Sequence, residues 1–493
     1  MLCRLLLLLD SALLDLFSTM GLAVILLTSY YHDYDPAFGG FAMDFWYNDE
    51  WVMNSFNEFN FVLVVSWMDM LSRIVFYVGT IVAVENLKEL LRPAPLTKLT
   101  IGPSASLMSG KEPVDLVLKS TASLEPRQRR FDRAAHLVLV VWGVVVLSLH
   151  MHADTRENVA QCLMQVRPWG ANKPTCVLLA MDCNLNDLLG HEDDITPFWE
   201  LVDLASVNRI VIRHCPELHM PPSLQRFIRL DTLELYNTTV LDWPDSAALT
   251  KQHHPVIGSF FAVRTNFTGG LLPPGLSSPN FPQSIYDIEF SVTNLRALPD
   301  DLDTRWPSVA TLYLELCQFD HFPSALTRIQ PLYLSLSANQ LTESPVEALQ
   351  MPNLNFLTLA ANPISTLETR PYRNVEDIGA LRRLKLMETN VSSLPRWMDP
   401  LLSRGTVAKP SVNLHNSPLC TYIKEVENGE RSHFPAVDTT PHDQLATVMM
   451  LGDMPALAKG VPCTYYFVLL YRLAGEDAWS GLTPQPVSFP ATS

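Results

Sequence analysis

A frame of apolar residues closed by one polar slot recurs through the middle of this 493-residue chain, and it limits the possible fold more than any other feature. Its fullest form is Leu354-x-x-Leu357-x-Leu359-x-x-Asn362-x-Ile364-x-x-Leu367. Leu332 to Pro345 repeats it with Leu334, Leu336, Asn339 and Leu341. Downstream, the frame fits Leu381, Leu384, Leu386, Thr389, Val391, Leu394 and Pro395, then Val412, Leu414, Ser417 and Leu419. Upstream it fits Val309, Leu312, Leu314, Cys317, Phe319, Phe322 and Pro323, then Ile285, Ile288, Phe290, Thr293, Leu295, Leu298 and Pro299. Earlier turns run through Phe260, Ala262, Thr265 and Phe267, through Leu230, Leu233, Leu235, Thr238, Val240, Trp243 and Pro244, and through Val207, Ile210, Ile212 and Cys215. Leu178, Ala180, Cys183, Leu185 and Leu188 read as a degenerate first turn. Successive turns lie about 22 to 32 residues apart, a period that predicts a solenoid.

The alternation of apolar residues predicts one short strand per turn, and stacked turns pair these strands into a single parallel sheet. The slot side chain points inward where the backbone bends and must satisfy main-chain groups left unpaired there. Asn does this best, so turns closed by Thr or Cys should hold less well. On that reading Cys215 and Cys317 are buried spine residues rather than reactive thiols. The chain has 37 prolines against 20 glycines, which suits turns ending in an apolar-Pro pair better than a helical bundle.

Ahead of the repeats, three apolar stretches approach the length that crosses a hydrocarbon core of roughly 30 Å. They are Leu5–Thr28, Phe61–Val84 and Ala134–Leu149. The loop between the first two carries Asp33, Asp35, Asp44, Asp49, Glu50 and Glu58 and no basic residue. The loop before the third carries Lys88, Arg92, Lys98, Lys111, Lys119, Arg127, Arg129, Arg130 and Arg133. The bias of basic residues predicts that this second loop is cytoplasmic, the N-terminus likewise, and everything after Leu149 outside. A signal-peptide reading of the N-terminus is weaker, because Asp10 and Asp15 interrupt its apolar run. Asp69 and Arg73, four apart, share a helix face and neutralise each other as a structural pair, the alternative being an ion path.

The net charge of −16 argues against nucleic acid. No Gly-rich phosphate loop, nucleophile elbow, kinase signature or zinc spacing occurs, so no enzyme activity, cofactor or metal is expected.

The turns resemble the leucine-rich-repeat superfamily, and Asn266-Phe-Thr-Gly-Gly-Leu-Leu-Pro273 is similar to its plant-type extracellular variant. Asn416-Ser-Pro-Leu-Cys420 resembles the run that opens a cysteine-bearing last turn, with Ser417 in place of the usual Asn. Membrane segments ahead of a divergent repeat ectodomain further resemble a family of oomycete multi-pass membrane proteins. The resemblance implies an α/β leucine-rich-repeat solenoid, a parallel-sheet horseshoe, preceded by a small transmembrane helix bundle. The expected organisation is a membrane domain over 1–150, an N-terminal cap over 151–176, the solenoid over 177–419, a C-terminal cap over 420–475 and a disordered tail over 476–493. Cys420 with Cys463 is the pair implied for the C-terminal cap, and Cys162 with Cys176 or Cys183 for the N-terminal one.

In such a solenoid the residues between and after the two strand leucines face the concave side. There the expected contacts to a protein or peptide partner are Arg213, Tyr236, Phe261, Arg264, Tyr313 and Glu315, since Arg and aromatic residues dominate binding energy. Asn237, Asn266 and Asn390 head glycan acceptor sequons. The function expected is a membrane-anchored, receptor-like or adhesion protein without a kinase, in the plasma membrane with its repeats extracellular and a signalling partner at the basic loop. The alternative is a scaffold or accessory subunit of a membrane transport or signalling complex.

Overall fold

The computed structural model describes residues 17–36, 40–62, 67, 70, 71, 74, 78, 81, 126–367, 380–395, 398–404, 411–432, 461, 463, 464 and 467–481. Two compact units result. The first takes 1–42, 54–157 and 167–170; the second takes 43–53, 158–166 and 171–493.

In the first unit, a helix Leu22–Tyr30 is followed by a two-stranded antiparallel pair, β1 (Tyr34–Asp35) and β2 (Gly40–Phe41). Tyr30 packs against Phe41 and Phe59, with ring centroids 6.4 and 5.4 Å away. A helix Pro126–Asp154 ends where Arg167 Nη1 donates to the Asp154 carbonyl at 3.0 Å. Among the described residues no helix is long and apolar enough to cross a membrane. The apolar run of the last helix, Ala134–Leu149, is shorter than the roughly twenty residues a crossing needs. The first stretch is described only from Phe17, and most of Phe61–Val84, the Asp69–Arg73 pair and residues 82–125 of the basic loop lie outside the described residues.

The second unit is built on one sheet. Strand β3 (Cys162–Val166) runs antiparallel to β4 (Thr175–Asp182) and closes the N-terminal edge. From β4 the sheet continues in parallel through β5 (Arg209–Arg213), β7 (Thr232–Asp242), β8 (Ser259–Phe267), β9 (Asp287–Thr293) and β10 (Thr311–Glu315). It ends with β11 (Tyr333–Ser335), β12 (Phe356–Thr358), β13 (Arg383–Lys385) and β14 (Val412–Asn413), while a short β6 (Leu218–His219) pairs only with β7. The pairing keeps one register throughout: Val211, Glu234, Phe261, Glu289, Tyr313, Ser335, Thr358, Lys385 and Asn413 are successive partners. This is the first concave column expected from the repeat frame.

Only the first turn departs from that frame. Ile210 and Ile212 pair with Leu179 and Met181, so these two, not Leu178 and Ala180, enter the core. A one-residue slip exchanges the faces of a strand.

Two local devices turn the chain. Each repeat from β5 to β14 carries one residue in the left-handed region, within its strand or shortly after it: His214, Asn237, Arg264, Val292, Leu316, Ala338, Ala361, Glu388 and Asn416 all have φ between 48° and 60°. That break in the alternation sends the next side chain, the slot, back inward. Several of the described returns then open on a proline carbonyl that accepts the N–H three residues on, as in Pro244 to Ala247, Pro299 to Leu302 and Pro323 to Leu326, at 3.0–3.1 Å. Proline serves here because its fixed φ suits a helical turn and its missing N–H is not required.

The slots behave as their chemistry dictates. Asn362 Nδ2 donates to the carbonyls of Leu336, Leu359 and Ala360 at 2.8–3.3 Å, and its Oδ1 accepts from the Leu341 amide at 3.0 Å. Asn339 makes the equivalent four bonds. Thr265 donates to Leu235 and Val263 only at 3.3 and 3.0 Å. The weaker turns are filled by aromatic packing instead, with Phe260 between Trp243 and Phe290 at 6.0 and 5.7 Å and Phe281 stacked on Trp306 at 5.7 Å.

Among the described residues three disulfides are present: Cys162–Cys176, Cys183–Cys215 and Cys420–Cys463. Cys215 is buried in the core as expected of a spine residue, and it is also bonded to Cys183 of the neighbouring turn, a pairing the sequence reading does not contain. Cys317 is free and buried, and burial pushes its thiol up to about 12, which keeps it unreactive. The C-terminal boundary also differs from expectation. Leu473–Trp479 is helical and Glu476 is fully buried, so order extends past 475 to Gly481; residues 482–493 lie outside the described set.

Candidate functional site

From β5 to β10 the face of the sheet turned away from the core meets two segments of the chain itself, Met43–Met53 and Phe467–Gly481. All six expected contact residues gather there, but under these segments rather than in solvent. The sequence reading assumed an open face, because nothing local in either segment announces so distant a partner.

Glu315, at the end of β10, is fully buried. Its carboxylate accepts the Leu470 amide at 2.9 and 3.1 Å, the Tyr471 amide at 3.0 Å and the Ser335 hydroxyl. Burial raises its pKa, while Ser335 and the two amides pull the other way. Two successive main-chain N–H groups on one carboxylate fix the incoming chain in position and direction.

Tyr236 and Arg264, from β7 and β8, converge on Asp477. Arg264 Nε donates to Oδ1 and Nη2 to Oδ2, both at 2.7 Å, and the Tyr236 hydroxyl donates to Oδ1 at 2.6 Å. Burial and the Asp477 hydrogen bond drive the Tyr236 pKa up, and the same carboxylate raises that of Arg264. The left-handed φ of Arg264 turns the guanidinium to the rim, where it stays about one fifth exposed.

Arg209 and Arg213 take Asp49 of the other segment: Arg209 Nη2 contacts Oδ1, and Arg213 Nη2 lies 3.6 Å from Oδ2. Arg209 also reaches Glu234 Oε2 at 3.3 Å. Burial lifts the Glu234 pKa well above the carboxylate range, Asp49 and Glu476 add to this, and the two arginines oppose it. Tyr47 donates to Glu289 Oε1 at 3.1 Å, and its ring meets Tyr471 at 4.8 Å and Phe261 at 6.2 Å. Burial, then Asp287 and Glu315, push Glu289 up as well, and Asp287 rises to about 7 through burial. Burial raises Tyr313, with Glu289 and Glu315 adding to it. This face thus holds more buried carboxyls than cations to pair them, and burial favours their protonated forms.

Tyr47, Asp49, Arg209, Glu234, Glu289, Tyr471 and Asp477 were not expected at the site. The one signal for the strand residues was a column of carboxylates that a solenoid does not itself require.

Of the three sequon residues, Asn390 is exposed, Asn266 is half-buried and Asn237 is 1% exposed. Asn237 Nδ2 lies 2.9 Å from His214 Nδ1, whose Nε2 is 3.2 Å from the Ser480 carbonyl. A glycan on Asn237 is incompatible with this packing, which corrects the expectation for that position.

The single parallel register, the inward Asn slots and the proline-opened returns define a leucine-rich-repeat fold. Among solved structures the chain is similar to InlP of Listeria monocytogenes, at 15% identity and a TM-score of 0.36 over 54% of this chain and 71% of that one. It is also similar to a leucine-rich-repeat protein of Leptospira interrogans at 18% identity and a TM-score of 0.31, and to the APL1 leucine-rich repeat domain at 14% and 0.32. Each of these two matches covers 43% of this chain and 56% of the other. No family model and no curated protein matches the sequence.

Proposed function

We propose that this chain is a membrane-anchored leucine-rich-repeat protein that binds a protein or peptide on its concave face, in a receptor-like or adhesion role without a kinase of its own. The repeats lie on the extracellular side of the plasma membrane, and signalling passes through a partner at the basic loop that holds Lys88 and Arg130. The observation that carries the binding role is the concave face itself, where Arg264, Tyr236 and Glu315 hold a peptide segment through its main chain and one acidic side chain. Tyr and Arg are the residue types that dominate binding interfaces.

Three disulfides favour an oxidising compartment for the repeats. Asp49, from the acidic loop, pairs with Arg209 of the repeats, which favours one side of the bilayer for both. Leu137, Val140, Val141, Val144 and Leu147 are exposed on the helix Pro126–Asp154, and lipid would cover apolar surface that is costly to leave in water.

Alkaline extraction of membranes should leave the full chain in the pellet, glycosidase should shift its mobility, and protease outside intact cells should reach the repeats. Recovery in the alkaline supernatant overturns the anchor; protected repeats with no shift overturn the orientation. Peptides selected from a random library against the full chain should lose binding on Arg264→Gln. Selected peptides indifferent to every change on that face overturn the concave site.

A further inference from the structure

We propose that Phe467–Gly481 is an internal ligand, and that the external partner is a peptide of the same pattern: an aromatic residue with its own and the preceding main-chain N–H groups unblocked, followed six positions later by an acidic residue. The inference rests on the concave face being a protein- or peptide-binding surface, and it names the class of partner.

Three observations carry it. The first is that the solenoid core does not use the segment. The main apolar cluster runs from Cys176 to Val461 with Cys463 packed against it, and no residue of Phe467–Gly481 belongs to it. Tyr471 sits in a separate small cluster with Tyr47, Tyr236 and Val263, flanked by Leu473 and Trp479. A strand or cap integral to the fold would share the main core; a docked peptide brings its own.

The second is the chemistry of the contacts. Glu315 reads the main chain through the Leu470 and Tyr471 amides, at 2.9–3.1 Å. Tyr471 places its ring 4.8 Å from that of Tyr47 and donates its hydroxyl to Glu476 Oε2 at 3.1 Å, within the segment. Asp477 then takes the forked Arg264 and the Tyr236 hydroxyl. A buried anchor ring packed among Tyr47, Tyr236 and Val263, with a charged pair at the rim, is the anatomy of an interface.

The third is the tether. Cys463, bonded to Cys420, stands just ahead of the segment. A short tether holds a ligand at an effective concentration on the order of millimolar. An external peptide of equal intrinsic affinity therefore competes poorly until the internal one is released.

The test places a specific protease site between Thr464 and Phe467 in the otherwise full chain, so that cutting leaves the segment held without a covalent link. Fluorescently labelled synthetic peptide 467–481 is then added and its anisotropy followed. The native peptide should exchange in. Peptides carrying Asp477→Ala, Tyr471→Ala or an N-methylated Tyr471 amide should bind at least about tenfold more weakly. The uncut chain should take up native peptide at least about a hundredfold more weakly than the cut one. Unfolding of the solenoid on cutting, a segment that never exchanges, or substituted peptides that compete as well as the native one overturn the inference. These readouts use no external partner. Exchange that works as described while library-selected peptides ignore the face counts against the wider binding reading alone.

Discussion

Arg264 and Asp477, 213 residues apart in sequence, meet in a two-point guanidinium–carboxylate pair with both hydrogen bonds at 2.7 Å. Arg264 leaves the sheet with a φ of 49°, and Asp477 lies on the last described helix, so the pair joins the turn geometry of the repeat to the tail of the chain. Replacing Arg264 with Lys keeps the charge but removes the fork. We expect Arg264→Lys to loosen the C-terminal segment by about 1 to 2 kcal/mol without unfolding the solenoid. Hydrogen exchange at the Leu470 and Tyr471 amides should then rise roughly tenfold or more, with the strand amides unchanged.

The buried carboxyls set a pH dependence of definite sign. Burial raises Glu234, Glu289, Glu315 and Glu476, and brings Asp287 to about 7 from an ordinary 3.8. A carboxyl whose folded pKa is raised contributes stability that is present in full below its unfolded pKa and is lost as pH rises through the folded one. His254 acts the other way: burial lowers it to about 4, so it favours folding as pH rises toward its ordinary 6.5. Melting temperature should nonetheless fall from about pH 5 to about pH 7.5, since the carboxyls outnumber the histidine. Asp287→Asn should flatten that fall by at least about 2 °C, the shift that roughly 1 kcal/mol produces in a chain of this size. An unchanged slope would remove Asp287 from the explanation.

Asn362 offers a sharper contrast with the threonine slots. Asn362→Ala leaves three carbonyls and the Leu341 amide without their side-chain partner, all buried, and should cost about 2 to 4 kcal/mol. Thr265→Ala removes two longer bonds and should cost about 1 to 2 kcal/mol. Urea unfolding midpoints with unchanged slopes would measure both.

How much of this was legible in the sequence follows from what repeats. The strand register of β5 to β14 could be read residue by residue, because Leu-x-Leu and its slot recur often enough to exclude any other alignment. At β4 one cysteine-bearing slot with no recurrence to hold it leaves the frame free to shift by one residue, and the strand sits on Leu179 and Met181. The closing segments were hidden for a different reason. Tyr47 and Tyr471 lie in short stretches that pack on each other and on the far face of a sheet, so no local periodicity could point to that face. Glu234, Glu289 and Glu315 were visible as outward positions, yet burial is a property of what lies over them.

Val292 tests the turn geometry itself. It is β-branched and held at φ 60°, where its side chain meets the main chain unfavourably, while Asn416 and Asn237 occupy the equivalent place in other turns. The repeat imposes this conformation whatever residue stands there, since the slot that follows must face inward. Val292→Asn should therefore stabilise the protein by about 0.5 to 1.5 kcal/mol, most of the strain being relieved with little loss of packing at a half-buried side chain. The matching change at Asn237, Asn237→Val, should destabilise it by more, since strain is added and the His214 contact at 2.9 Å is lost. Thermal unfolding of the two variants side by side should move in opposite directions; movement in the same direction would mean that the left-handed turn is not what limits those positions.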